Sequence, residues 1–302
     1  MKNKNKTVLS ELSLLGIAFI LGAAFIFVKS SLDSITPLWL MAARFIVAAL
    51  AISIFFFKKL KLINRGTLLA GVVCGVLIYV AFAFQTIGIQ YTTASKNALL
   101  TTAYVVLVPF IFWILIRIKP KPTQIIAAVL CFAGITMLMS NNIFGATNGK
   151  DELFGDFLTL ICGLFFGVHI SLLGIYSKKH DAIALTIVQM ITCAFISLVA
   201  ALLFEDVPRH MSGQTIGAIL YLGLLSTCLA YLVQTVAQKY TTPSHASLIM
   251  SLECVIGSIL SVIIFKDVFT PLMWAGSAVT FASVVLSQRS NRNELSKALL
   301  SE

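Results

Sequence analysis

Ten apolar stretches, each long enough to cross a bilayer, divide this chain. They lie near residues 12–30, 36–57, 67–90, 97–117 and 122–140, then 153–176, 183–204, 213–237, 244–265 and 271–288. A helix needs about 20 residues to cover roughly 30 Å of hydrocarbon. Lipid offers the backbone no hydrogen bonds, so a spanning segment is either a helix or a strand in a closed barrel. Barrel strands alternate polar and apolar residues, and Val105-Val106-Leu107-Val108-Pro109-Phe110-Ile111-Phe112 does not. The stretches are therefore predicted as helices of an all-α integral membrane protein. Composition agrees, with 59% apolar and 11% charged residues, against about 25% charged in an average soluble domain.

The stretches fall into two related sets. Gln85-Thr86-x-x-x-x-Tyr91-Thr92-Thr93-x-Ser95 recurs as Gln234-Thr235-x-x-x-x-Tyr240-Thr241-Thr242-x-Ser244, an offset of 149. Pro122 and Pro271 keep that offset. Gly22 and Gly167, in the first helix of each set, differ by 145. The predicted units are residues 1–145 and 146–302, each of five helices. Five is odd, so the second unit would enter the membrane upside down, as an inverted repeat around a central cavity.

Charge gives an orientation. Of the 22 Lys and Arg residues, Lys150, Arg209 and Lys266 fall in one set of loops, and Lys29, Arg44 and Lys96 fall in or at the edges of helices. The remaining 16 fall on the other side, which the positive-inside rule makes cytoplasmic together with both termini. The expected location is the bacterial plasma membrane. The net charge of +10 then belongs to short loops facing anionic lipid headgroups, so nucleic acid is not an expected partner. Met1-Lys2-Asn3-Lys4-Asn5-Lys6 before an apolar run resembles a secretory signal. The run exceeds a signal core and no small-x-small site follows it, so it is read as the first spanning helix.

Small residues recur at helical spacing. Ser247, Ser251, Cys254, Ser258 and Ser261 form a stripe on the ninth helix, and Gly71 and Gly75 form a GxxxG pair. Such stripes let helices approach closely. Packing within one chain is the broad reading, and a seam between two copies in a homodimer is the narrower one. Cys74, Cys131, Cys162, Cys193, Cys228 and Cys254 stand singly on six helices, without the spacing of a metal site.

Ionisable residues inside spans carry the functional signal. A charge at the bilayer centre costs at least about 2.5–3.5 kcal/mol, so it faces a cavity or a partner. Arg44 and Glu253 are read in two ways. Either they form a fixed ion pair, or both line a transport cavity, with Arg44 gripping an anionic group and Glu253 binding a proton or a cationic group. His169 is either a packing or a cavity residue. Tyr104 is the repeat equivalent of Glu253, so pseudo-symmetry sets the two opposite each other. Gln85, Asn97, Gln189, Tyr231 and Gln234 are candidates for the lining and equally for hydrogen bonds between helices, and Lys29 and Lys96 are either interfacial anchors or parts of an outer vestibule.

These features resemble EamA-type members of the drug/metabolite transporter superfamily. The resemblance rests on Tyr91-Thr92-Thr93-Ala94-Ser95-Lys96 leading into Tyr104-Val105-Val106-Leu107-Val108-Pro109. It rests also on Ser251-Leu252-Glu253 followed by Phe265-Lys266-Asp267-x-x-Thr270-Pro271. The family's ninth helix usually reads Leu-Glu-Pro and its following loop Gly-Glu; here Cys254 takes the proline place and Lys266-Asp267 the pair. The resemblance implies a ten-helix bundle around a cavity that opens alternately to each side. It also implies export of small metabolites, often amino acids, or of toxic compounds.

An intramembrane enzyme and a sensor or assembly protein were weighed against transport. The chain lacks H-E-x-x-H, G-x-S-x-G and clustered metal ligands, and its tails and loops are too short for a signalling domain. No cofactor or metal is expected. With no G-x-x-x-x-G-K-[ST] loop, ATP is not the expected drive. The expectation is a secondary transporter for small organic solutes, coupled to protons or facilitative.

Overall fold

The computed structural model describes residues 2–300 except Ile118, Pro120, Lys121, 145–148, Arg209 and 267–269. Among the described residues the chain is all helix. Eight helices are long and apolar enough to cross a bilayer: Lys6–Ser31, Pro37–Phe55, Arg65–Tyr91, Ala94–Ile116, Asp151–Lys179, Ala182–Phe204, Gly213–Gln238 and Pro243–Phe265. The other two expected stretches are also helical, Pro122–Phe144 and Pro271–Leu300, and among their described residues Ile125–Gly134 is a shorter apolar helix. The expected Lys266-Asp267 pair lies partly outside the described residues, because Asp267 is not among them.

Helix starts follow the local sequence. Asn64, Thr93, Asp181, Ser212 and Thr242 each accept a backbone N–H of the helix they precede, which satisfies donors that a helix leaves orphaned. Pro37 and Pro243 sit in first turns, where no N–H is needed. In chain order the elements are α1 (Lys2–Ser31), α2 (Pro37–Phe55), α3 (Arg65–Tyr91), α4 (Ala94–Thr101), α5 (Tyr104–Ile116), α6 (Pro122–Phe144) and α7 (Gly149–Lys179). They continue as α8 (Ala182–Phe204), α9 (Gly213–Leu220), α10 (Ala230–Gln238), α11 (Pro243–Met250), α12 (Leu252–Phe265) and α13 (Pro271–Leu300). A wider, π-type stretch at Tyr221–Leu229 joins α9 to α10.

Two expected spans are broken in the middle. The stretch 97–117 divides into α4 and α5 at Thr102-Ala103, and 244–265 divides into α11 and α12 at Ser251. No proline sits at either break. The Thr102 hydroxyl donates to the Ala98 carbonyl at 3.0 Å and the Ser251 hydroxyl to the Leu248 carbonyl at 2.7 Å. Hydroxyls that bond back along a helix compete with its ladder. The backbone tightens there into three-residue turns, with the N–H of Val105 donating to Thr102 and that of Cys254 to Ser251. Each second piece then ends on a left-handed residue, Arg117 (φ 61°) after α5 and Lys266 (φ 55°) after α12. These two also differ by 149.

Packing exchanges helices between the two sets. The later set's α7 packs on α3, α4 and α5, while the earlier set's α1 packs on α10, α11 and α12. Helices α2 and α8 pair with each other, as do α6 and α13. Glycine permits the closest approaches. A Cβ on Gly22 would meet the Glu253 carbonyl at 2.8 Å, and one on Gly167 would meet Ile111 at 2.9 Å, with the Tyr104 carbonyl at 3.8 Å. Gly71 and Gly75 abut Val188 and Thr192 of α8. The ninth-span stripe is used inside the chain: Ser247, Ser251, Cys254 and Ser261 are buried, and Ser258 donates to the Ser95 carbonyl at 3.4 Å. Those side chains are not available to a second copy. All six cysteines are free and buried. Phe55, Ile114, Phe132, Phe195 and Phe204 are largely exposed, a surface that suits lipid rather than water.

Candidate functional site

The broken spans and the helix exchange leave a cavity between the two sets. It is lined by residues of α1, α2, α3, α4, α5, α7, the π-type stretch, α10, α11 and α12. Its empty space is about 590 Å³ including the mouth, of which about 50 Å³ is free to the centre of a water molecule. At 10–15 Å³ each that admits only about four waters.

Arg44 is 2% exposed on α2. Its Nε donates to Thr227 Oγ1 at 3.0 Å, and its Nη2 donates to Thr227 Oγ1 and Ser226 Oγ at 2.9 Å each. The guanidinium lies 4.4 Å over the Phe82 ring. Phe82 is held edge-on by Phe45 and Phe166, both at 5.3 Å. Hydroxyls and ring faces thus compensate the charge, and among the described residues no carboxylate comes within 4 Å of it. An arginine has five N–H donors, and the pair on Nη1 has no acceptor among the described residues. The fork is oriented by protein through Nε and Nη2.

Glu253 is 7% exposed at the start of α12, and Tyr104 is 2% exposed at the start of α5. The Tyr104 hydroxyl donates to Glu253 Oε1 at 3.1 Å. Both residues immediately follow a helix break, so the breaks bring these repeat equivalents together. Asn97, on α4, donates to Thr159 Oγ1 at 2.8 Å and to the Gln85 carbonyl at 3.3 Å, while its Oδ1 is buried without a partner. Gln85 donates to Thr101 at 3.2 Å.

Arg44, Gln85, Asn97, Tyr104, Tyr231, Gln234 and Glu253 all line the cavity. His169 and Gln189 do not. They face each other across α7 and α8, His169 Nε2 at 3.0 Å from Gln189 Oε1, with the imidazole 6.0 Å from the Tyr231 ring. Lys29 and Lys96 are also outside the lining. Lys29 donates to the Ile89 and Thr92 carbonyls at 2.6 and 2.9 Å, closing the end of α3. Lys96 is buried against Glu152 and Asp156. Sequence reasoning missed Ser226 and Thr227, whose signal was a hydroxyl pair inside an apolar span, and it missed the apolar wall of Phe25, Phe82 and Phe166.

The cavity has one cation, one acid and an apolar body between them. Comparisons with known proteins point to a transporter. An uncharacterized transporter of Archaeoglobus fulgidus is 29% identical over 281 residues, covering 93% of this chain and 86% of the relative. A second from the same organism is 25% identical over 272 residues, covering 87% and 92%. The uncharacterized transporter YwfM of Bacillus subtilis is 25% identical over 185 residues, covering 60% of each. One solved crystal structure shares the fold at 14% identity, with a TM-score of 0.71 over 94% of this chain and 98% of the other. The model of the EamA-like transporter family matches twice, over residues 8–140 and 153–288, and the chain belongs to that family.

Proposed function

We propose that this transporter is a secondary exporter of small amphipathic organic solutes, amino-acid-like molecules among them, working by alternating access across the plasma membrane. The two units, 1–145 and 146–302, act as inverted five-helix repeats with both termini cytoplasmic. The exchanged packing of α1 and α7 supports this reading, because each helix sits on the other unit's partners as a two-fold relation in the membrane plane requires. The asymmetry of Lys and Arg supports the orientation.

One observation carries the proposal: Arg44 and the Tyr104–Glu253 pair line the same cavity. Arg44 anchors a carboxylate or other anionic group through its unengaged edge. Glu253 exchanges a proton, or releases Tyr104 to hold a cationic group. Proton exchange at Glu253 couples export to the proton gradient. Solute enters when one end of the narrow cavity widens.

Flux of labelled solutes in proteoliposomes under an imposed pH gradient tests this. Glu253→Gln keeps the shape and the Tyr104 contact but removes the proton site, and the expected result is flux that no longer follows the gradient. Arg44→Ala is expected to weaken carboxylate-bearing solutes more than cationic ones. Unaltered pH dependence in Glu253→Gln, or equal losses for both solute classes in Arg44→Ala, would overturn these roles.

A further inference from the structure

The two short helices before the breaks, α4 and α11, are equivalent in the repeat, and their far ends carry equivalent polar clusters at opposite ends of the bundle. At the α4 end, Lys96 Nζ lies 2.5 Å from Glu152 Oε1 and 4.0 Å from Asp156 Oδ2 on α7, and Thr92 Oγ1 donates to Asp156 Oδ1 at 2.6 Å. At the α11 end, His245 Nδ1 lies 3.2 Å from Glu11 Oε1 on α1 and 3.3 Å from Thr241 Oγ1. The offsets match throughout. Lys96 and His245 differ by 149, as do Thr92 and Thr241, while Asp156 and Glu11 differ by 145.

The clusters hold pieces that reach the cavity. Asn97 of α4 and Met250 of α11 line it, and the breaks after Thr101 and at Ser251 are the points about which either piece can swing. Discontinuous helices of this kind are recurrent moving parts of transporters. The two ends differ in chemistry. Lys96 is 3% exposed by side chain and has two acids beside it; His245 and Glu11 are 26% and 31% exposed, with one acid between them.

We infer that α4 and α11 are hinged half-helices fastened at their far ends, and that proton binding at His245 fastens α11 to α1 while Lys96 keeps α4 fastened to α7 across working pH. Histidine is the side chain that changes charge in the physiological range. A neutral imidazole can offer Glu11 one hydrogen bond; the protonated ring adds the charge. Glu11 is the one carboxylate within 4 Å of the imidazole among the described residues. Charged or titratable groups on elements packed against α11 also include Lys6 and Lys29 on α1, Tyr104 on α5 and Arg117 after it, Asp151, Glu152, Asp156, His169, Tyr176, Lys178 and Lys179 on α7, Tyr231 on α10 with Lys239 and Tyr240 after it, and Glu253 at the start of α12. Arg289, Arg292, Glu294 and Lys297 on α13 lie outside the described side chains. Acidification therefore closes the α11 end of the pathway and leaves the α4 end unaffected. The role in a transport cycle rests on the function proposed above; the latch itself does not.

Hydrogen exchange read by mass spectrometry on the full chain in proteoliposomes, corrected for intrinsic rates, tests the latch without any solute. The protection of 243–250 is expected to fall about two- to fivefold between pH about 5.5 and about 8, as a half-buried ion pair of 0.5–1 kcal/mol allows, while 94–101 stays level. H245K is expected to stay protected at both pH values and E11Q to be weakly protected at both. K96H is expected to transfer the pH dependence to 94–101. Level protection of 243–250 in the native chain, or pH dependence that survives in E11Q, would overturn the inference. Absence of solute flux with the exchange pattern intact would instead remove the export reading and leave the latch standing.

Discussion

Replacing Lys96 with methionine tests whether the buried cluster at the start of α4 is structural. The substitution keeps the length and apolar stem but removes the ammonium. Glu152, about one third exposed, can turn to solvent, but Asp156 is fully buried and would keep Thr92 as a hydrogen-bond partner. Leaving one member of a buried ion pair costs about 3–5 kcal/mol, whereas an exposed pair is worth about 0–1 kcal/mol. At about 2–4 °C per kcal/mol, the expected loss is on the order of 10 °C in Tm. Thermal unfolding of detergent-purified protein at one fixed scan rate measures it, because unfolding of such proteins is often irreversible. Lys96→Met with Asp156→Asn removes the buried carboxylate charge while keeping an acceptor for Thr92, and should recover about half or more of the loss. A single-mutant loss of only a degree or two, or a double mutant no better than the single, would refute the burial argument.

Lys266→Gly should raise stability by about 1 kcal/mol, seen as a higher Tm, because a left-handed backbone costs an L side chain roughly that much. No gain would mean that the Lys266 side chain has compensating contacts. Asp181, between α7 and α8, caps α8 and receives Lys59 Nζ at 2.9 Å. Burial pushes its carboxyl up, but the Lys59 bond and the N–H groups of Ala184 and Ile183 outweigh that and hold it below the usual carboxylate range. A lowered folded value makes the contribution full above the unfolded value, near about 3.9, and lost as pH falls through the folded one. Asp181→Ala should therefore cost about 1 kcal/mol at neutral pH, with the gap in Tm closing below pH about 4. A gap unchanged into acid would leave only the cap geometry at work.

Some of this was legible in the sequence. Spans show because lipid demands long apolar runs. The 149-residue offset pairs Tyr104 with Glu253, whose side chains meet at 3.1 Å. The breaks at Thr102-Ala103 and Ser251 were not legible. They arise from single hydroxyls that bond back along the helix, and most such hydroxyls leave a helix intact. The position of Lys266 was half legible: where the family has glycine the backbone here turns left-handed, and the chain carries lysine instead. Lys96 looked like a vestibule residue because its acids, Glu152 and Asp156, lie 56 and 60 residues away and only folding brings them near. His169 and Gln189 stayed open between lining and packing, because polarity within a span does not tell a cavity wall from an interhelical bond.

The six buried thiols make the native chain a ready host for site-specific labels. Maleimide reagents arriving from water meet no exposed thiol among the described residues, so a single cysteine at an open position such as Gly213, where a Cβ would touch nothing within 4 Å, would react against a quiet background. Stripping the native six first would be counterproductive, since Cys193 donates to the Gly75 carbonyl at 3.1 Å where α3 and α8 touch. A spectroscopic probe can be installed in the wild-type background and the motion of either half-helix followed without disturbing the packing that defines it.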